Sequence, residues 1–514
     1  MQRIRIVFCL ILLCTFACGI QAQPPSNQRL ITLQEAIQLA VENNFEVQIE
    51  RYNPEIDEYR WRGQYGLYDP TLNVSAGQSK RESEGYFDQD LRLQIPGGEN
   101  WSEFLRAGIT GLLPTGTRYD LSATFTRTSG KFPRIIIPTD TNLPPFSVLQ
   151  DLPFQNRSFA GITLTQPLLR NFLYDNARLS ISLAKTQLRM SEAAFLFRLM
   201  DVINRVEQAY HNLIFARENV KVQERALELA ERSLLENKKR VEVGSMAPLD
   251  EKQAESLVAS SRAALIDAQR QRAAQENLLK NLITSEFPNA KAEEFVPAEN
   301  LVPVVQVFDL QESWRRGLSQ RPDLKQLRYD IENREIRLKY TKSQILPSLD
   351  LTGSFGINGV DENWGPSIGD LRDLNNPQYS FGVLINYPIP NRSARNNYKV
   401  SKAEKKQALL RLKQLEQDIL VEIDDAIQLA RSSFERVEAT KQARAFAEAA
   451  LDAEQKKLEN GKSTSFFVLQ FQRDLTTARF EEIRALAEYN NALAILAFRE
   501  GATLDRHNLE VKIK

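Results

Sequence analysis

The sequence is written twice, and this duplication limits the fold more than any other feature. A shift of 277 positions lays Leu33 on Leu310, Val47 on Leu324, Pro70 on Pro347, Leu72 on Leu349 and Val74 on Leu351. DPTLNVSAG at 69–77 then faces LPSLDLTGS at 346–354. A shift of 217 matches a later stretch, NAR at 176–178 with SAR at 393–395 and Gly244 with Gly461. TQPLL at 165–169 and NYPIP at 386–390 correspond with a four-residue offset. Copies this long are not ordinary solenoid repeats. The order in each is short helix, strand, variable stretch, strand, very long helix, glycine, helix. The first repeat covers 23–290, a linker 291–309, and the second repeat 310–514.

The long helices argue against two globular domains side by side. From Asn176 to Val243 there are 68 positions without proline or glycine, about 100 Å of helix at 1.5 Å per residue. Leu199, Val206, Leu213, Val220, Leu227, Leu234 and Val241 recur every seven residues. Val202, Ala209, Ala216 and Ala230 supply a second seam three positions on. A heptad period sustained this far predicts left-handed supercoiling against partner helices. Gly244 stops the helix, Pro248 follows, and a second helix is expected to about Ser285. The copy predicts a helix from about Ala394 to Asn460, a stop at Gly461, and a helix from about Phe466 to Glu500, with Ser463, Thr464 or Ser465 available as caps. Each half therefore carries a helical hairpin. Without strands, the same pattern fits a spectrin-like rod.

The N-terminus reads as an export signal over residues 1–22. Arg3 and Arg5 precede the apolar run Ile6 to Phe16, and Ile20-Gln21-Ala22 offers a cleavage site. Cys9, Cys14 and Cys18 all lie in this segment, with no convincing lipobox before any of them. The chain from Gln23 onward has no cysteine, and 64 basic residues face 66 acidic ones. Disulfides and thiol chemistry are excluded there. With only His211 and His507, neither a histidine-based triad nor a histidine-rich metal site is expected. Balanced charge argues against bulk nucleic-acid binding. Carboxylates are many but fall in no catalytic spacing, so no enzyme, cofactor or metal is expected. No later stretch is apolar enough for a membrane helix, so any membrane crossing falls to strands.

Alternation marks those strands. Leu72, Val74 and Ala76 oppose Asn73, Ser75 and Gly77, and Ala160, Ile162 and Leu164 oppose Thr163 and Thr165. In the second half Leu349, Leu351 and Phe355 alternate with Asp350, Thr352 and Ser354, and Phe381, Val383 and Ile385 with Ser380, Gly382 and Asn386. One greasy and one polar face over some ten residues is the pattern of a transmembrane β-strand. Four strands are expected, near 70–80, 158–167, 347–357 and 378–388, with Tyr68, Phe159, Tyr379 and Tyr387 as interfacial aromatics. An additional hairpin, 104–128, turns at Pro114-Thr115-Gly116; the sequence does not decide whether it joins the others. Residues 81–103 and 130–157, rich in Gly, Pro, Asn and charge, read as surface loops.

Taken together, these features resemble the TolC family of outer-membrane efflux proteins from Leu30 to about Leu504. The resemblance is carried by LQEAIQLAVENNFEV and its copy LQESWRRGLSQRPDL, by ILPSLDLTGSFG at 345–356, by TQPLLRN at 165–171, and by NGK at the last helical turn. It implies an α+β membrane protein: a homotrimeric tube with a shared β-barrel, four strands per protomer and the extra hairpin as an option, above a periplasmic α-helical barrel. It also implies a passive exit duct of a tripartite efflux or type I secretion system, in the outer membrane of a Gram-negative-type bacterium, with a periplasmic adaptor and an inner-membrane pump as partners. Independently of the family, four strands cannot close around water and open edges are not tolerated in lipid, whereas twelve strands from three copies suffice. The competing function is a periplasmic coiled-coil scaffold without a transport role.

In the family the helical tips dock the adaptor and form the closing iris. Carried over, docking falls on Gly244, Ser245, Met246, Ala247, Gly461, Lys462, Ser463 and Thr464. The gate falls on Asp250, Phe466, Phe467 and Gln470. Asp250 matches a tip aspartate of the closing links, but its arginine and tyrosine partners fall on Ser463 and Leu458. The aspartate ring of the constriction falls on Phe467 and Gln470. An apolar closure by Phe466 or Phe467, gating by dewetting, is expected in its place; simple packing of these rings between helices is the alternative.

Overall fold

The structure is a computed structural model describing residues 27–139 and 143–509. The expected export signal and its three cysteines lie outside the described residues. In chain order the first half runs β1 (Asn27–Ile31), α1 (Leu33–Asn43), α2 (Phe45–Gln64), β2 (Thr71–Glu82), β3 (Tyr86–Asp88), β4 (Leu93–Ile95), β5 (Glu99–Leu112), β6 (Arg118–Ile136), β7 (Phe146–Pro167), α3 (Asn176–Glu242), α4 (Pro248–Ile283), α5 (Phe287–Ala290) and β8 (Glu293–Pro297). The second half runs α6 (Leu310–Gln320), α7 (Pro322–Ser343), β9 (Ser348–Asp361), α8 (Trp364–Arg372), β10 (Pro377–Asn386), α9 (Arg392–Glu459), α10 (Ser465–Glu500) and α11 (Thr503–Arg506). The two long helices have 67 and 68 residues, each running through a stretch without proline or glycine.

These elements fall into two compact units. One gathers, of the described residues, 27–47, Asp201–Val307 and Ala426–Leu496. Its core is built where the heptad seams bury Val202, Val206, Ala209, Leu213 and Ala216 on α3 and Ile427, Ala430 and Val437 on α9. The hydroxyls of the fully buried Tyr210 and Tyr489 both have partners: Tyr210 lies against the Glu299 carboxylate and within 3.0 Å of Ile31 O, and Tyr489 donates to Val304 O at 2.5 Å. The parallel pair β1–β8 is held by Glu276, which accepts the Phe295 N–H at 3.0 Å and pairs with buried Lys280 at 2.7 Å. Toward Gly244 the seam of α3 opens, and Leu227, Leu234 and Val241 are only half-buried.

The other unit gathers, of the described residues, Gln48–Met200, Phe308–Asp425 and 497–509. The SQRPDL motif forms an ionic knot here. Pro322 starts α7, and the buried Arg321 guanidinium pairs with Asp323 and Glu422, each at 2.6 Å, while Arg499 meets Glu422 at 3.0 Å. Trp314 donates to Leu420 O at 3.1 Å.

This unit also holds an antiparallel six-stranded sheet in the order β10-β9-β7-β6-β5-β2. All four expected strands are present. The extra hairpin, β5–β6, whose place the sequence left open, is inserted between the first strand and the second, so the sheet has six strands. Two expected surface loops are also shorter than the sequence suggests. Within 81–103, Glu99–Glu103 pair with Gln78–Glu82; within 130–157, the β6–β7 ladder continues past a register shift between Thr128 and Gly130 to Ile136 and Phe146. Gly, Pro and charge punctuate these stretches, but Phe132, Ile135, Ile136, Val148 and Leu149 retain enough β-forming side chains to extend the ladder.

Candidate functional site: the sheet faces and the helical turns

Register sorts the sheet into two faces. Rows of partners run Leu72–Ile109–Leu121–Ile162–Phe355–Tyr379 and Val74–Ala107–Ala123–Ala160–Ile357. The intervening rows run Thr71–Thr110–Asp120–Thr163–Ser354–Ser380 and Ser75–Arg106–Thr124–Phe159–Asn358. One face is therefore apolar across all six strands and the other polar or small, as a wall between lipid and water requires. Each strand has at least the ten residues of β10, enough to cross a bilayer when tilted. Phe159 departs from expectation. It lies in a polar row, and its ring covers Gly161 and Gly356, where an added Cβ would meet it at 2.6 and 2.4 Å. Tyr379 does sit on the apolar face, 73% exposed.

The two outer strands have open edges. All of β10 is exposed, with Phe381 at 83%, and Leu72 and Val74 on β2 are exposed as well. Greasy side chains beside unpaired backbone on both edges cannot be left so in lipid or water.

At one end of the sheet, α8 lies on the apolar face. Ser158 donates to Ser367 O at 2.5 Å, and Asn156 to Glu362 O at 2.6 Å. The Arg127 guanidinium donates to Asn156 Oδ1 at 3.0 Å and stacks over Phe154 and Trp364. The backbone approach is so close that a Cβ on Gly359 would meet Ser367 O at 1.9 Å.

The second candidate site is the pair of turns that join the long helices to their partners. Both are built alike. Gly244 (φ 74°) donates to Val241 O at 2.9 Å and Ser245 to Arg240 O at 2.8 Å; Gly461 (φ 69°) donates to Leu458 O at 3.1 Å and Lys462 to Lys457 O at 2.8 Å. This is the Schellman pattern, which requires a left-handed residue and so selects glycine. Ala247 has no side-chain acceptor, but Pro248 opens α4 and the Asp250 carboxylate accepts the Ala247 N–H at 3.2 Å. Asp250 is thus occupied with its own helix terminus.

Of the residues expected to dock a partner, Gly244, Ser245, Ala247, Gly461, Lys462 and Thr464 are exposed, whereas Met246 and Ser463 are half-buried. Of the residues expected to form the gate, Phe466 and Phe467 are 52% and 47% exposed, their rings 5.6 Å apart edge to face, and Gln470 is exposed. Leu458 packs with the buried cluster Leu451, Val468 and Leu475. Sequence reasoning missed the residues that tie the turns down. Buried Asn237 donates to buried Ser465 at 2.5 Å and to Asp250 O at 3.4 Å. The Ser463 hydroxyl donates to Glu454, whose other oxygen takes Lys457 at 3.0 Å; these two partners hold the Glu454 carboxyl below the usual carboxylate range. Ser463 and Ser465, expected as caps, are spent on these bonds. An asparagine within a heptad surface was the available signal for Asn237.

Among the described residues no helix is long and apolar enough to cross a membrane, and no group of ligating side chains could hold a metal ion. A two-faced sheet with open edges joined to paired helices of this length defines an outer-membrane channel subunit. The chain belongs to the outer membrane efflux protein family, whose model matches residues 152–285 and 315–501, one segment in each half. No curated protein matches it by sequence. Solved structures share the fold. A membrane protein from Pseudomonas aeruginosa is 19% identical with a TM-score of 0.64, covering 91% of this chain and 92% of that one. The Campylobacter jejuni CmeC outer membrane channel is 16% identical with a TM-score of 0.64, over 92% and 86%. VceC from Vibrio cholerae is 16% identical with a TM-score of 0.63, over 91% and 96%.

Proposed function

We propose that three copies of this chain form the outer-membrane exit duct of a tripartite efflux or type I secretion system, with the sheet as its membrane wall. The duct is passive. An inner-membrane pump supplies the energy, and a periplasmic adaptor docks on the turns at Gly244–Ala247 and Gly461–Thr464. The observation that carries this reading is the six-stranded sheet with one apolar face, one polar face and two open edges. A scaffold standing in water would not offer that apolar face to solvent.

Export to the outer membrane, detergent-dependent extraction and a trimeric mass are the expected results of fractionation and native mass measurement. A monomer soluble in buffer overturns the reading. For docking, Met246→Glu combined with Lys462→Glu is expected to abolish capture of the adaptor while leaving the trimer intact. Undiminished capture removes these residues from the interface.

A further inference from the structure

Resting on the trimeric reading above, we infer that the membrane wall is an eighteen-stranded barrel in which each copy's β5–β6 hairpin is a full structural member. The four strands expected from the family resemblance would give twelve. Here the hairpin stands between β2 and β7 at the same height as the others, because the rows at Leu72 and at Thr71 run unbroken through β5 and β6 to β9 and β10.

Three features hold it there. Its side chains obey the two-face rule of the whole sheet: Leu105, Ala107, Ile109, Leu121, Ala123 and Phe125 fall in apolar rows, and Arg106, Thr110, Asp120, Ser122, Thr124 and Thr126 in polar ones. Its turn is fastened at the start of α3, where Arg178 donates to Pro114 O and to Leu173 O at 3.0 Å, and Asp175 accepts the Arg178 N–H at 2.7 Å. Thr117 and Thr115 O are also bound by Gln166 of the adjoining strand β7. An appendage lying outside the wall would need neither the apolar face nor the fastening.

Strand direction closes the ring. Consecutive sheet neighbours are antiparallel, so β2 and β10 run oppositely, and β10 of one copy continues the antiparallel pattern onto β2 of the next. Eighteen is an even count, as barrels of this kind have, and it falls among those that enclose an aqueous channel. Diameter grows roughly linearly with strand number, so the lumen is about half again as wide as a twelve-stranded one. The hairpin also brings Arg106, Arg118 and Asp120 to the water face, two positive charges and one negative per copy.

Engineered disulfides test this directly, since the chain from Gln23 onward has no cysteine of its own. Val74→Cys with Ala107→Cys is expected to cross-link within one chain. Val74→Cys with Ala160→Cys is expected not to, because two strands separate them by roughly 14 Å at 4.8 Å per step. If the Val74–Ala160 pair links, β2 lies beside β7, the hairpin is outside the wall and the inference falls. If the Val74–Ala107 pair links but the native mass is not that of three chains, the trimeric reading fails and the count of eighteen with it, while the six-stranded wall stands.

Should a pair fail to assemble, single cysteines answer the same question. Ser122→Cys and Thr124→Cys are expected to react with a membrane-impermeant maleimide in reconstituted trimers, with Leu121→Cys and Ala123→Cys protected. Equal labelling of all four overturns the inference.

Discussion

Asn237 near the end of α3 donates its side-chain amide to the Ser465 hydroxyl at the start of α10, 2.5 Å away, and both residues are buried. One side chain thereby links the two helical turns of the chain, since it also reaches Asp250 O at the start of α4.

Asn237→Ala is expected to loosen both turns together. It removes a buried donor and strands the Ser465 hydroxyl, which costs about 1–3 kcal/mol. Limited proteolysis should show cleavage within 243–250 and 460–467 rising in parallel. Cleavage at one turn alone would mean that Asn237 does not couple them.

Glu454 gives the second turn a pH dependence. Its folded carboxyl is lowered from its ordinary value of 4.5 by the Ser463 hydroxyl and then by Lys457. A lowered folded value contributes stability that is fully present above about pH 4.5 and is lost as pH falls through the lowered value. Glu454→Gln should therefore reduce the thermal midpoint at pH 6, with the gap to wild type narrowing as pH falls below about 4.5. A constant gap across that range would exclude the ionised carboxylate as the cause.

In the ionic knot, Arg321→Leu removes the shared partner of Asp323 and Glu422. A fully buried pair broken on one side loses about 3–5 kcal/mol, but Glu422 is 35% exposed and can rehydrate, so about 2–3 kcal/mol is expected. Denaturant unfolding of the detergent-solubilised protein measures it, with Arg328→Leu, whose pairing with Glu416 is long at 4.0 Å and half-exposed, as a control expected to be nearly neutral.

Phe466 and Phe467 are the predicted apolar closure. Replacing both with Ser should raise single-channel conductance in planar bilayers, because a wetted constriction conducts where a dry one does not. Unchanged conductance would leave the rings with a packing role only.

At the end of the sheet covered by α8, Gly359→Ala should displace that helix, since the added methyl would stand 1.9 Å from Ser367 O. The cost is about 1–3 kcal/mol, and Trp364 fluorescence should shift as its contacts with Phe125 and Arg127 are lost. Gly353→Ala, which meets nothing within 4 Å, should leave the emission unchanged.

The sequence alone determined the features that depend on periodicity along one segment. Unbroken heptads dictated α3, the repeat carried that reading to α9, Gly244 and Gly461 dictated their ends, and alternation gave each strand its greasy and polar faces. Local spacing carries these because neighbours three, four or two residues apart share a face whatever the rest of the chain does. Only the tertiary structure decided what those faces meet. That β5 lies between β2 and β6, that Phe159 turns to the polar side over two glycines, that Asp250 caps its own helix, and that Asn237 joins two turns separated by more than two hundred residues are outcomes of register and packing. Such contacts depend on which of many equally alternating partners comes alongside, and no period within a single segment specifies that choice.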